Sequence, residues 1–580
     1  MKMRETLKKI KPATIALIII LVAYTIISFY KLGNMKNPQT YVNLKDNEQL
    51  TFRIDSDQIP KKMMIYSAND ESNVSIFFVN EYKTYDKYEY DTYFEINYAN
   101  LFKWNEIYFN TKSCDYKYIM FESNVETTAL GEIKIYDENG KEITITAMDE
   151  KGKELLDEQS LVPEEYSYMN STYFDEVYFP RTSYEILNKL PIYEYTHPPL
   201  GKLIISIPVH FLGLTPFAYR LCGNIAGILM ILVIYLIAKQ LFKRDRYALF
   251  SALIMALDGM HFVQTRIGTV DSLLLLFCLT SFYFFLRFLK IPAEENWKKK
   301  RLPLLLSGTF WGMAIATKWT SAFIGAGMGI IYLAKMIKSK RLDIKLILWS
   351  ILSFVIIPLT IYVASYIPIM MNPNAKLYYE HEDKNGEKIC EYVQITDVKS
   401  FIKYQQAMYK YHSTLNADHP YTSKWYEWPG MKRPLWFYIS RFDDGKVGTI
   451  ACMGNPAIWW LSIVTATFTL IYTIIKKDRE GAILFVMIAI TWFTYALIGR
   501  IMFIYHYFIT LPFMMLTIPF MISRLAKLNK KIDYIMPILS LIFLGIFIYF
   551  YPIYSGKPVS IEYIQKTEWL NSWEYDGLAR

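Results

Sequence analysis

Two motifs, YFDEVYF at 173–179 and THPPLGK at 196–202, mark the border between two different kinds of chain. Before them, residues run in short alternations such as VSIFFV and GEIKIYDENGKEITI, broken by Asn, Asp and Gly, which is the pattern of antiparallel strands and hairpin turns. After them the apolar residues come in blocks long enough to cross about 30 Å of hydrocarbon. The border carries an adjacent acid pair, Asp175 and Glu176, set among aromatic residues just before an apolar stretch. With 53% hydrophobic and 17% aromatic residues over 580 positions, and the apolar ones bunched, the sequence predicts a polytopic α-helical membrane protein carrying an inserted extracytoplasmic β-sandwich. A single soluble domain is excluded.

The first apolar block, 13–30, follows Lys2, Arg4, Lys8, Lys9 and Lys11. Its length, and the lack of an A-x-A-like site after it, favour a retained span over a cleaved signal peptide. Ten further spans are expected at 221–242, 247–264, 272–290, 303–317, 320–337, 346–368, 457–475, 482–498, 503–522 and 533–551. Basic residues collect in alternate loops, at 243–246, 298–301, 338–341, 476–479 and 524–531, all on the side of the basic N-terminus. The formal charge of +9 is therefore a topology signal and not a nucleic-acid footprint. Eleven spans put the N-terminus in the cytoplasm and the C-terminus and large loops outside a cell membrane. The five cysteines, Cys114, Cys222, Cys278, Cys390 and Cys452, show no CxxC spacing, so neither a disulfide framework nor a zinc site is expected.

The expected domains are a cytoplasmic start and first span (1–32), a β-sandwich-like insert (33–165), and a catalytic loop with spans two to seven (166–368). An aromatic-rich outer loop (369–456), the last four spans (457–555) and an outer tail (556–580) follow. Within 41–165, 26 acidic residues stand against 13 basic ones, so this domain does not hug lipid. Its IYDENGKEI stretch resembles the last strands of galactose-binding-like sandwiches. Two readings stay open for it, a folding or spacing module and a carbohydrate- or acceptor-binding module. The loop 369–456 holds His419 among Trp and Tyr residues, which suit either a bilayer interface or a sugar face.

Function is signalled by ionisable residues at the outer ends of spans. Asp175, Glu176, His197 and Lys202 precede the second span and Arg220 opens it. Asp258, His261, Arg266 and Asp271 flank the next outer turn, Lys318 joins two spans, and Arg500 and His506 bracket another turn. Charges at membrane depth are costly, so a one-sided collection predicts a shared polar site. Each has a plainer reading: Lys318 and Arg500 can snorkel to headgroups, and Arg266 and Asp271 can form a structural ion pair. A lipid-phosphate-linked sugar needs such a set: cations for the phosphate, and one carboxylate to take a proton from the incoming hydroxyl.

FDEVYF, THPPLGK, RLCGNIAG at 220–227, ALDGMHFVQTRIGTVDSLLLLF at 256–277, GMAIATKWTS at 312–321, HPYTSKWYEWP with RPLWFY at 419–438, GNPAIWW at 454–460 and YHYF at 505–508 occur in order. Together, over about 173–555, they resemble the protein O-mannosyltransferase family of multispanning GT-C glycosyltransferases. The resemblance implies a polyprenyl-phosphate-mannose donor, a Ser or Thr acceptor on a polypeptide crossing or leaving the membrane, and inversion at the anomeric carbon. The secretion machinery is then an expected partner. It further implies Asp175 as general base, with Glu176 positioning the acceptor or the base, and Arg220, Arg266 and Lys202 as phosphate contacts. His197, Asp271, Asp258, Lys318, His419, Arg500 and His506 would shape the donor and acceptor sites. No cofactor or metal is implied. The short outer loop resembles the bacterial branch, without a MIR domain, and the acidic insert is unusual for the family. The alternative is a GT-C transferase of another lipid-linked sugar to a lipid or cell-wall glycan. A transporter fits poorly, because its polar residues belong near mid-membrane, and a silent glycan receptor fits poorly with eleven spans.

Overall fold

Strand β4 (Ser72–Val79) buries every second side chain, the period of a sheet with one face inward. It belongs to one of two antiparallel five-stranded sheets. The first has the order β10-β2-β7-β4-β5, with β2 Gln49–Ile54, β5 Tyr90–Ile96, β7 Tyr118–Ser123 and β10 Ile145–Ala147. The second has the order β1-β8-β3-β6, with β9 on β8; the strands are β1 Val42–Lys45, β3 Lys62–Ser67, β6 Lys103–Tyr108, β8 Thr127–Tyr136 and β9 Glu142–Ile143. The β8–β9 turn forms where the sequence predicts it. Asp137 Oδ1 accepts the amides of Asn139 and Lys141, both at 2.8 Å, and Gly140 takes φ +75°. Strands β3 and β8 bury nearly all their side chains, so the second sheet is covered on both faces. Met64, Tyr66 and Trp104 form a core there with Tyr41, Tyr136, Val162 and Tyr166.

The computed structural model describes residues 11–69, 71–80, 90–111, 116–292, 294–339, 343–382, 388–415, 417–442 and 444–574. Lys2, Arg4, Lys8, Lys9, Cys114, Lys340 and Arg341, and the side chain of Cys390, lie outside that description. The chain divides into two units, one of residues 31–184 with 208–219 and one of 1–30, 185–207 and 220–580. The division falls at 184, not at the expected 165. The YFDEVYF turn thus belongs with the strands and not with the helices that follow it.

Among the described residues eight helices are long and apolar enough to cross a membrane: Pro12–Phe29, Pro216–Phe242, Asp271–Leu289, Ser321–Ser339, Ile344–Met370, Pro456–Lys476, Arg479–Leu497 and Lys530–Ser555. The other expected spans are helical but altered. Helix Trp297–Ile315 opens on the basic WKKKR run. The expected 247–264 span is two helices, Asp245–Ala256 and Gly259–Gln264, broken where Asp258 caps the second. The expected 503–522 span becomes a 3-10 turn, Ile504–Ile509, and a helix, Leu511–Leu525, started by Pro512, whose fixed φ suits a first turn. A thirteen-residue apolar helix, Leu200–Leu212, begins at THPPLGK and was not among the expected spans. Ile344–Met370 loosens to a π-helical turn at Leu352–Ile356, ahead of Pro358, which cannot donate to the helix ladder.

Candidate active site

The acid pair sits on a 3-10 turn, Phe174–Val177. Phe174 enters it at φ +50°, a conformation that costs a bulky residue free energy and persists only where surrounding contacts impose it. Those contacts are on both sides of the turn. Glu176 is fully buried, and its Oε2 accepts the Tyr173 amide at 3.2 Å, closing the turn on itself. Just upstream, the Thr172 hydroxyl donates to the Leu101 carbonyl at 2.9 Å and the Trp104 amide donates to Ser171 Oγ at 3.1 Å. Asp175 is half-buried between these fixed points. The two acids therefore differ: Glu176 is wholly buried and closes the turn on the backbone, whereas Asp175 is half-buried.

The helical unit gathers its charges differently. Lys202 is fully buried and its ammonium donates to Glu194 Oε2 at 2.6 Å, to the Glu194 carbonyl at 2.7 Å and to the His197 carbonyl at 2.9 Å. Through these bonds Lys202 knots the loop before helix Leu200–Leu212. Its expected role is that of a phosphate contact; here the ammonium bonds to this loop. Burial would raise the Glu194 carboxyl, yet Lys202 and His197 hold it well below the usual carboxylate range. Burial pushes the His197 imidazole down, against the pull of Glu194.

His412, on helix Val398–Thr414, closes the same loop from the other side. Its Nε2 donates to the Thr196 carbonyl at 2.6 Å while its Nδ1 takes an N–H of Arg500. That is the pattern of one neutral tautomer. Burial first, then His197 and Arg500, push its imidazole down to about 3. Gly201 brings the loop against a second ion pair. A Cβ there would lie 2.6 Å from Val270 Cγ1 and 3.0 Å from Thr317 Cγ2, and the neighbouring residues Asp271 and Lys318 pair at 2.8 Å. Lys318 also lies 5.5 Å from the centre of the Tyr505 ring, and it lines a small cavity with Asp271, Thr320, Tyr495, Tyr505 and His506. Lys202, His197, Lys318, Asp271, Arg500 and His506 are thus gathered within one unit.

Three further expected site residues have partners elsewhere in the fold. Asp258 caps helix Gly259–Gln264 through the His261 amide at 2.9 Å and accepts from the Asn455 amide at 3.1 Å and Trp459 Nε1 at 2.7 Å. It is a buried joint. Arg266 donates to the carbonyls of Ser28 and Tyr30 at 3.1 and 2.8 Å and lies 4.8 Å from the centre of the Phe262 ring, so it fastens the end of the first span. His419 is exposed, accepting the Tyr421 amide at 3.2 Å. Arg220 is fully buried in the second turn of helix Pro216–Phe242. Glu194 and His412 escaped the sequence reading. A lone acid inside IYEYTHPPLGK, three residues from His197 and eight from Lys202, was the available signal.

Among the described residues one carboxylate group is close enough to hold a metal, Glu132, Asp157 and Glu158. Two of its three members already accept hydrogen bonds. Glu132 accepts the Glu158 amide at 2.9 Å, and Glu158 accepts the amides of Gln39 and Thr40 at 2.9 and 3.2 Å. Burial pushes the Glu132 carboxyl up to about 7.

Residues 164–371 match the family model of dolichyl-phosphate-mannose-protein mannosyltransferase, and residues 397–573 match that of the C-terminal four-transmembrane region of protein-O-mannosyltransferase. The two matches cover about two-thirds of the chain in order. The chain belongs to the protein O-mannosyltransferase family. Among relatives of this family, the polyprenol-phosphate-mannose–protein mannosyltransferase of Mycolicibacterium smegmatis is 26% identical over 453 residues, covering 69% of this chain and 87% of its own. The enzyme of the same name from Mycobacterium tuberculosis is 22% identical over 456 residues, covering 69% and 86%. The structure of the Saccharomyces cerevisiae protein O-mannosyltransferase Pmt1-Pmt2 complex bound to the sugar donor superposes with a TM-score of 0.59 at 14% identity, over 70% of this chain and 89% of that one. This places the mannosyltransferase-family chain in the GT-C fold. The strands of the β insert lie outside both family matches.

Proposed function

We propose that this enzyme transfers mannose from polyprenyl-phosphate-mannose to the hydroxyl of serine or threonine on an exported polypeptide, with inversion at the anomeric carbon. Asp175 takes the hydroxyl proton as that oxygen attacks the anomeric carbon. A new carbon–oxygen bond forms on one face while the bond to the phosphate oxygen breaks on the other, its electron pair leaving with polyprenyl phosphate. The leaving group needs no general acid once cations stabilise its charge. Arg500 and Lys318 are the cations we assign to it. A guanidinium carries five N–H donors, and Arg500 spends one on His412; an ammonium carries three, and Lys318 spends one on Asp271. Glu176 acts through the backbone, holding the turn that presents Asp175.

The observation that carries the reading is the asymmetry of the acid pair on its braced turn, in a chain of this family. In this reading the cation cluster faces the outside of a cell membrane, the acceptor arrives from the secretion machinery, and the donor lipid is the sole co-reactant. The test is transfer of labelled mannose from polyprenyl-phosphate-mannose to a Ser/Thr peptide by the purified full-length protein, with mass spectrometry locating the hexose. Hexose on Ser or Thr with the wild type and none with Asp175→Asn is expected. Transfer only from another lipid-linked sugar, or to a lipid or glycan, would replace the reading with its alternative.

A further inference from the structure

The residues on the β insert's side of the bonds at 171 and 172 are Leu101 and Phe102, on the turn that leads into strand β6, and Trp104, in β6 itself. Phe102, like Phe174, sits at φ +50°, and its carbonyl accepts the Thr172 amide at 3.4 Å. Trp104 is wholly buried, with its ring centre 5.2 Å from that of Tyr66, whose hydroxyl accepts from Asn37 at 2.9 Å. The anchor therefore reaches from the acid turn into the sandwich core. A second anchor lies beyond the turn, where Arg181 approaches Glu71 at 3.5 Å, beside the start of β4. Leu101, Phe102, Trp104 and Glu71 lie outside the family-matched residues, whereas Ser171, Thr172 and Arg181 lie inside them.

We propose that the insert is a working part of the catalytic apparatus, a brace that fixes the acid turn, and that Ser171 and Thr172 are its positioning residues. This rests on Asp175 as the base. A turn entered through a residue at φ +50° relaxes unless both flanks are held. Ser171 and Thr172 hold the upstream flank through two hydroxyl-mediated bonds to the insert, and Glu176 holds the other. A base that wanders by about 1 Å loses on the order of 100-fold in rate without losing the donor, because proton abstraction depends on distance far more steeply than phosphate binding does.

The experiment compares full-length Thr172→Val, Ser171→Ala and Thr172→Ser with wild type and Asp175→Asn, using kcat per donor-binding molecule so that poorly folded protein is not counted. Thr172→Val and Ser171→Ala are expected to lower kcat by about 10- to 100-fold with donor KM within about twofold of wild type, and Thr172→Ser to recover most of the rate. Unchanged kcat in both Thr172→Val and Ser171→Ala overturns the brace. So does a Thr172→Ser variant as slow as Thr172→Val, or a loss that appears in donor KM alone. Where Thr172→Val gives little folded protein, Ser171→Ala alone carries the test. Asp175→Asn separates the two ideas: full activity there removes the base, whereas an inactive Asp175→Asn beside fully active brace variants removes only the brace.

Discussion

In the proposed mechanism the acid turn and the cation cluster serve one reaction by opposite means. At the turn, the carboxylates are placed by main-chain bonds: Glu176 closes the loop on the Tyr173 amide and hydroxyls at 171 and 172 pin its flank. In the cluster, charges are placed by other charges: Lys202 pairs with Glu194, and Lys318 with Asp271. A base must point in one direction, which a stiff backbone supplies. A phosphate site must keep net positive charge at low dielectric, which needs some cations to be neutralised and others to retain donors. Counting ionisable residues in the sequence treats these groups alike; their partners distinguish them.

The largest expected effect tests the turn. Asp175→Asn should lower kcat by about 10²- to 10⁴-fold, the range of a lost general base, and Glu176→Gln should cost less because an amide oxygen can still accept the Tyr173 amide. Equal losses in the two variants, measured by mannose transfer, would erase the distinction between them. Next is the knot. Lys202→Met removes the buried ammonium partner of Glu194 and should destabilise the protein by about 3–5 kcal/mol, while adding Glu194→Gln should restore much of that, as read by thermal unfolding in detergent. A Lys202→Met protein of normal stability that binds donor poorly would return Lys202 to the phosphate. Arg500→Gln should raise donor KM about tenfold, the worth of a charge-assisted hydrogen bond, with little loss of stability. Unaltered donor binding would move the phosphate elsewhere.

The smallest effect is in pH dependence, and its sign differs between the units. The His412 imidazole titrates near 3 when folded against 6.5 as a free group, so between those values the unfolded chain binds more protons and stability rises with pH. The Glu132 carboxyl titrates near 7 against 4.5, so between 4.5 and 7 the folded chain binds more protons and stability falls as pH rises. Hydrogen exchange of each unit from pH 4 to 7 should show opposite slopes, flattened separately by His412→Gln and Glu132→Gln.

Much of the fold was legible because hydrocarbon permits few solutions: apolar blocks and alternate basic loops located the helices, and alternation with Asp-rich turns located the strands. What failed was local. Asp258 lies inside an apolar run and reads as a functional acid, whereas a helix break needs a cap at that position. Leu200–Leu212 is too short for a hydropathy window, and the extent of the insert was misjudged because hydroxyls at 171 and 172 carry no visible period. Adjacency and aromatic flanks single out the acids, whereas the ion pairs of the cations are not legible, since a pair between residues eight or forty-seven positions apart leaves no trace in spacing.

Asp258 carries one more implication, for biogenesis. Two of its partners, the Asn455 amide and the Trp459 indole, lie 197 and 201 residues downstream. While the ribosome is still making that later stretch, the carboxylate has only its own helix amide to satisfy it, and an acid so exposed to lipid is expensive. The early bundle therefore stays unfinished until the helix beginning at Pro456 arrives, and a nascent chain halted before it should be a preferred target for membrane quality control.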